Sequence, residues 1–241
     1  YAKCMKMLED AGMSDVLPTT MPPMTKSMLK AALTLDEPLS EAENSARLGD
    51  NGRFGWLAQT THLGLVVATS IAQGLPAIQG TKKVSAQMYA WVKAHAADGL
   101  ISRAADKSGL ASTSDADWAG MHSITGETRS RNGECHKYNG MVIDAHSSLQ
   151  KTVSSEYTEV EAMIATSSGN AELIAASATT TRALHLSYLT EELGLPIERP
   201  ISIGLDANAA LGFLDNTGSS GRMKHLDIRE DWIQQARDRT I

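Results

Sequence analysis

Cysteine is nearly missing from this chain. Cys4 and Cys135 are the two in 241 residues, far apart and outside any CxxC pair. That excludes a disulfide framework and a cysteine-based zinc site, and reads as two free thiols in a reducing compartment. Long apolar runs are missing too: none approaches the roughly 18 residues of a membrane span, and no signal-peptide pattern is visible. There is no excess of positive charge. The 22 Lys+Arg against 28 Asp+Glu leave a net −6, unlike a strongly basic nucleic-acid binder. No internal repeat is found. What is present is a 42% hydrophobic composition, enough for a packed core, in a length that holds one large domain or two small ones. The chain opens on Tyr1 inside helical text, which reads as a piece of a longer polypeptide.

Residues 2–11 read as a short helix closed by Gly12. Residues 17–38 carry Pro18, Pro22, Pro23 and Pro38, with little apolar periodicity outside MLKAAL, and read as a connecting segment over a surface. Three helical stretches follow: SEAENSARL, GRFGWLAQTTHLGLVVATSIAQGL and TKKVSAQMYAWVKAHAADGL. In the second, Leu65, Ala68 and Ile71 share a stripe; in the third, Met88, Trp91 and Val92 do, with Thr81 as its cap and Gly99 as its stop. After residue 100 the period changes. Leu100 to Arg103, Leu110 to Asp115, Glu134 to Tyr138 and Met141 to Ala145 read as strands, with Asn139-Gly140 as a hairpin turn. A long helix from about Asn170 to Leu193 ends at Gly194, and the strand PISIGLD ends in Asp206. A short helix from Asn208 to Asp215, a Gly/Ser loop from Thr217 to Gly221 and an amphipathic helix with Ile228, Trp232, Ile233 and Ala236 complete the chain. Helices followed by mixed strands and helices predict two domains meeting near residue 100, 1–99 and 100–241, the second of mixed α/β class.

The block STSDADWAG places Asp115 and Asp117 one residue apart at the end of a strand, where alternation points both to one face. A cation would relieve their repulsion; an Asp-rich turn capping backbone amides is the other reading. Asp115 at a strand end, Glu172 in the first turn of the long helix and Asp206 at a second strand end can converge on one edge of a sheet. Carboxylate oxygens gathered at one point suit Mg²⁺. Each acid alone also has an ordinary explanation, Glu172 as a complement to the helix dipole and Asp206 as a helix cap.

The blocks SDADWAG, TRSRNG, YNG, SSLQKTV, TSSGNAELIA, ISIGLDANAAL and RMKHLDIR, in that order, resemble the ribonuclease H domain of copia-type retrotransposon polyproteins. The segment YAKCMKMLEDAGMSDVLPTTMP resembles the end of that family's reverse transcriptase fold, and PLSEAE, GWLAQTTHLGLVVATSIAQ and the helix over 81–100 resemble the helical connection after it. The likeness covers nearly the whole chain. It implies a ribonuclease H-like domain, a central mixed sheet flanked by helices, preceded by a small, mostly helical region.

The resemblance further implies that Asp115, Glu172 and Asp206 are the catalytic acids and hold two Mg²⁺ ions, with Mn²⁺ as a substitute, and that Asp117 is a supporting acid. Glu159 and Glu161, in TEVEA, are rivals to Glu172. Glu172 is preferred because the helix after it runs unbroken to Gly194, which leaves roughly 154–164 as an insertion relative to the family. The implied activity is Mg-dependent hydrolysis of the RNA strand of an RNA–DNA hybrid during reverse transcription, inside the cell, with no membrane involved. RNA would be selected through its 2′-hydroxyls across the minor groove. Implied partners are the hybrid and the remainder of the polyprotein, including its reverse transcriptase. Arg129, Arg131, Lys151, Arg222 and Lys224 are candidate phosphate contacts, each also explicable as a solvated surface charge. The family completes its site with a fourth acid on a final strand and helix that this sequence does not reach; His225 and Asp227 have no assigned role. Two other readings stay open: a remnant that keeps the fold as an interaction module without catalysis, and a different α/β metal-dependent phosphoesterase.

Overall fold

The computed structural model of the chain describes residues 1–102, 109–150, 165, 167–206 and 233. It falls into two compact units, Tyr1–Leu100 with Ser123–Gly126, and Ile101–His122 with Glu127–Ile241.

The first unit holds five helices, α1 (Ala2–Asp10), α2 (Lys26–Leu33), α3 (Glu41–Thr60), α4 (Val66–Gln73) and α5 (Gly80–Ala94). Its core is built from Leu8, Leu29, Phe54, Leu57, Leu65, Val84, Met88, Tyr89 and Val92, all fully buried. Several boundaries differ from expectation: the second helical stretch divides over residues 61–65, where a 3₁₀ turn (Leu63–Leu65) separates α3 from α4, and α5 ends at Ala94 and not at Gly99. Helix α2 forms inside the Pro-rich segment because Thr25 caps it, Oγ1 accepting the Met28 N–H at 3.2 Å. Helix α3 runs without a break through Gly49 and Gly52. A capping box of Ser40 and Glu43 starts it, and burial of Asn51, Phe54, Leu57 and Ala58 outweighs the roughly 1 kcal/mol that each mid-helix glycine costs. Thr81 does not cap α5. Its hydroxyl donates back to the Ile78 carbonyl at 2.6 Å, and the helix starts at Gly80, where a Cβ would stand 1.7 Å from the Ala32 carbonyl oxygen.

The second unit is built on a mixed sheet. Strands β1 (Leu110–Asp117), β2 (Arg131–Tyr138), β3 (Met141–Leu149) and β4 (Ser202–Gly204) lie in the order β3-β2-β1-β4. The first three pair antiparallel, while β4 runs parallel to β1 in the register Thr113↔Gly204. A single turn, α6 (His122–Thr125), follows β1, and from Ser123 on it belongs to the first unit. No strand forms over 100–102, and Arg103 lies outside the described residues. The Asn139-Gly140 turn has φ of +47° and +73°, the two positive values that a two-residue type I′ hairpin requires.

Helix α7 (Ser168–Glu192) covers β1 and β2. Its buried side is rich in small residues, Ala171, Ala175, Ala176, Thr179, Thr180, Ala183 and Ser187, beside the larger Asn170, Glu172 and Leu173. Ala183 packs with Leu110 and Ile201, joined by Tyr138, Leu184, Ile197 and Ile203; Leu173 and Ala176 pack with Ile233 and Leu205. A mixed sheet flanked by helix is the α/β architecture expected of a ribonuclease H-like domain. The 154–164 insertion, the helix over 208–215, the loop over 217–221 and all of the last helix except Ile233 lie outside the described residues.

Candidate metal centre

Strand alternation and pairing register assemble the site. On β1, Asp115 stands opposite Gly133 and Asp117 opposite Arg131. Because β4 runs parallel to β1 with Gly204 beside Thr113, the chain two residues further along each brings Asp206 alongside Asp115. Helix α7, capped by Ser167 Oγ on the Asn170 N–H at 3.1 Å, delivers Glu172 from the sheet's covered side. Glu172 sits in the second turn of α7, not the first, because the helix starts at Ser168. Asp115 is two residues short of the strand end, since β1 continues to Asp117.

One carboxylate oxygen from each of Asp115, Glu172 and Asp206 lies within 4.8 Å of the other two. Asp115 and Asp206 are exposed, whereas Glu172 is 8% exposed. Past the Thr113↔Gly204 pair the β1–β4 ladder ends, and Glu172 Oε1 accepts the Ala116 N–H there at 3.2 Å. Its other oxygen, Oε2, is buried with no hydrogen-bond partner among the described residues. Burial raises the Glu172 pKa; the Ala116 N–H opposes that, and the Asp115 and Asp206 charges add to it. A buried carboxylate with one oxygen lacking a donor, beside two further carboxylates, is an arrangement that a hard divalent cation satisfies and that protein groups among the described residues do not. The donor set, all oxygen and partly open to solvent, fits an ion that keeps several of its waters.

Asp117 is not in this cluster. Its carboxylate lies over the backbone of Gly120, where a Cβ would stand 1.8 Å from Oδ1, so any other residue there would turn the exposed Asp117 side chain aside. In the same turn Ala119 adopts φ +46°, and the Trp118 indole N–H donates to the Ala165 carbonyl at 3.0 Å.

The candidate phosphate contacts divide. Arg129 grips Glu127 through Nε at 2.9 Å and Nη2 at 2.7 Å, which holds the Glu127 carboxyl down to about 2. Arg131 is half-buried across the ladder from Asp117. Burial lowers its pKa, with Glu127 and Asp117 acting the other way. Lys151, Arg222 and Lys224 lie outside the described residues, as do Glu159, Glu161, His225 and Asp227. His136 is a fully buried core histidine, with Nδ1 2.7 Å from Ser112 Oγ, and His122 is exposed at the start of α6. Sequence reasoning missed Asn132 and Gln150, both buried beside the start of α7. Neither carries a charge or a recognisable spacing, so no pattern marks them.

Over 124 residues, 52% of its length, the chain is 31% identical to a protein of Nicotiana tabacum, the "Retrovirus-related Pol polyprotein from transposon TNT 1-94". The matched region is 8% of that polyprotein. No family model matches the chain. No solved structure matches it either.

Proposed function

We propose that the chain is a fragment of a retrotransposon polyprotein whose second unit is a ribonuclease H-type endonuclease acting on the RNA strand of RNA–DNA hybrids. The single observation that carries this reading is the convergence of Asp115, Glu172 and Asp206 with the Oε2 of Glu172 left buried and unpartnered. Support for the retroelement context comes from the similarity to the tobacco Pol polyprotein. The mixed sheet, with its acids on the first strand, on the covering helix and after the parallel strand, agrees with the class.

Asp115, Glu172 and Asp206 would hold the two Mg²⁺ ions, which when bound would supply Lewis acidity toward a phosphodiester and a water. The protein's own part is positional. The parallel register of β1 and β4 sets Asp115 beside Asp206, and the Ala116 N–H holds the Glu172 carboxylate next to them. Exposure of Asp115 and Asp206 leaves that side open to a phosphate, while Glu172 is held from the buried side.

The test is cleavage of a labelled RNA–DNA hybrid, a double-stranded RNA and a DNA duplex, each with Mg²⁺, with Mn²⁺ and with chelator. The reading requires cation-dependent loss of the hybrid's RNA strand alone. Cleavage of all three substrates would move the chain to a general metal-dependent phosphoesterase. No cleavage with cation binding retained would make it an interaction module on the same fold.

A further inference from the structure

We infer that Gln150 is a positioning residue for Glu172: its side-chain amide clamps the start of α7 to β2 and so sets where the unpartnered Glu172 oxygen lies. The inference rests on the metal-site reading above and adds a residue with no charge and no direct part in holding a cation.

Gln150 follows β3 directly, and its own N–H donates to the Ser130 carbonyl at 2.8 Å, which pins its backbone at the end of the sheet. Its Nε2 makes two further donations. One goes to Asn132 Oδ1 on β2 at 2.8 Å, the other to the Ala171 carbonyl of α7 at 2.8 Å. Ala171 immediately precedes Glu172. Asn132 stands opposite Ala116, whose N–H is the one bonded to Glu172 Oε1. A closed circuit results. Gln150 ties Ala171 to Asn132, the sheet ties Asn132 to Ala116, and Ala116 ties back to the residue after Ala171.

Two features indicate that this amide is held for its donors. Gln150 is 5% exposed, and its Oε1 is buried without a partner among the described residues. Turning the amide over would satisfy nothing, because both neighbours, Asn132 Oδ1 and the Ala171 carbonyl, are acceptors and need N–H groups. The arrangement leaves an acceptor unmet in order to keep two donations that cross from sheet to helix at the level of Glu172. Groups that orient a ligand without touching the ion characteristically change cation affinity about tenfold to a hundredfold when removed.

The experiment titrates Mn²⁺ and Mg²⁺ calorimetrically into the 241-residue chain and into Gln150→Met and Glu172→Gln, with melting in chelator as the fold control. Gln150→Met keeps length and burial but has no donor. It is expected to weaken cation affinity about tenfold or more, and Glu172→Gln to abolish it. Gln150→Asn retains an amide one methylene too short to span both acceptors; it is expected to weaken affinity similarly and covers the case in which the methionine variant does not fold. A purely structural residue would lower the chelator melting point and leave the cation affinity at the wild-type value. That result, with Glu172→Gln still unable to bind, overturns the clamp alone. Absence of cation binding in the unmodified chain overturns the metal-site reading and the clamp with it.

Discussion

Replacing Glu172 by glutamine should make the cation-free protein more stable while removing its response to Mg²⁺. The side chain keeps its length, and Oε1 still accepts the Ala116 N–H. What goes is a negative charge that is 8% exposed and within 4.8 Å of an oxygen of each of two other carboxylates. At that separation one like-charge pair costs about 1 kcal/mol in a water-like dielectric and about 3 kcal/mol at an effective dielectric of 20. Asp115 and Asp206 are exposed, so the lower figure governs, and two pairs give about 2 kcal/mol. For a domain of this size that is a rise in melting temperature of about 4–8 °C. The new NH₂ also offers Asp115 and Asp206 a donor where Oε2 had none. The assay is a thermal melt by circular dichroism of both proteins, in chelator and in a Mg²⁺ series. At a hundred times its dissociation constant a cation stabilises the unmodified chain by about 2.7 kcal/mol; the variant should show no such shift. A variant that melts below the unmodified chain in chelator, and gains equally from Mg²⁺, would refute the claim that Glu172 is an electrostatic liability retained to hold a cation.

The raised Glu172 pKa fixes a pH dependence. The native state holds that proton more tightly than the unfolded chain, so in chelator this residue's contribution is most favourable below the ordinary carboxylate value and is lost as pH rises toward the elevated native value. Cation binding runs the other way, weakening as pH falls through that range. Calorimetric titrations at stepped pH, taken as the difference between the unmodified chain and Glu172→Gln, check both signs. Gly120→Ala places a methyl 1.8 Å from Asp117 Oδ1, which the exposed carboxylate relieves by rotating at a cost of about 0.5–1.5 kcal/mol, read as a slightly lowered denaturation midpoint. Arg129→Gln should weaken hybrid binding and reduce the slope of log affinity against log salt by about one; an unchanged slope would confine Arg129 to its pairing with Glu127.

The parts of the fold that were legible in the sequence are those governed by local chemistry. Asn139-Gly140 reads as a hairpin because both positions take positive φ, and Gly194 closes α7 with φ +72° for the same reason. The three acids could be named because carboxylates at strand ends and near a helix start have few places to go, and because the ordered blocks resemble a known domain. Illegible were features decided across the structure. The continuity of α3 through three glycines depends on the burial of Phe54 and Leu57, not on helix propensity. Gly80 reads as an ordinary helix-start residue until the Ala32 carbonyl is found where its side chain would be. Gln150 is the sharpest case. Its role arises from standing between a carbonyl on α7 and a side-chain oxygen on β2, 21 and 18 residues away along the chain. No single-sequence pattern encodes a donor placed between two acceptors. Charged ligands leave a trace in sequence because burying them without a partner is costly and limits where they occur; the neutral groups that aim them leave none, since an amide is tolerated almost anywhere its bonds can be met. The acids of a site such as this one can therefore be read from sequence before their alignment can, and the residues that control the alignment emerge only from the hydrogen bonds that join helix to sheet.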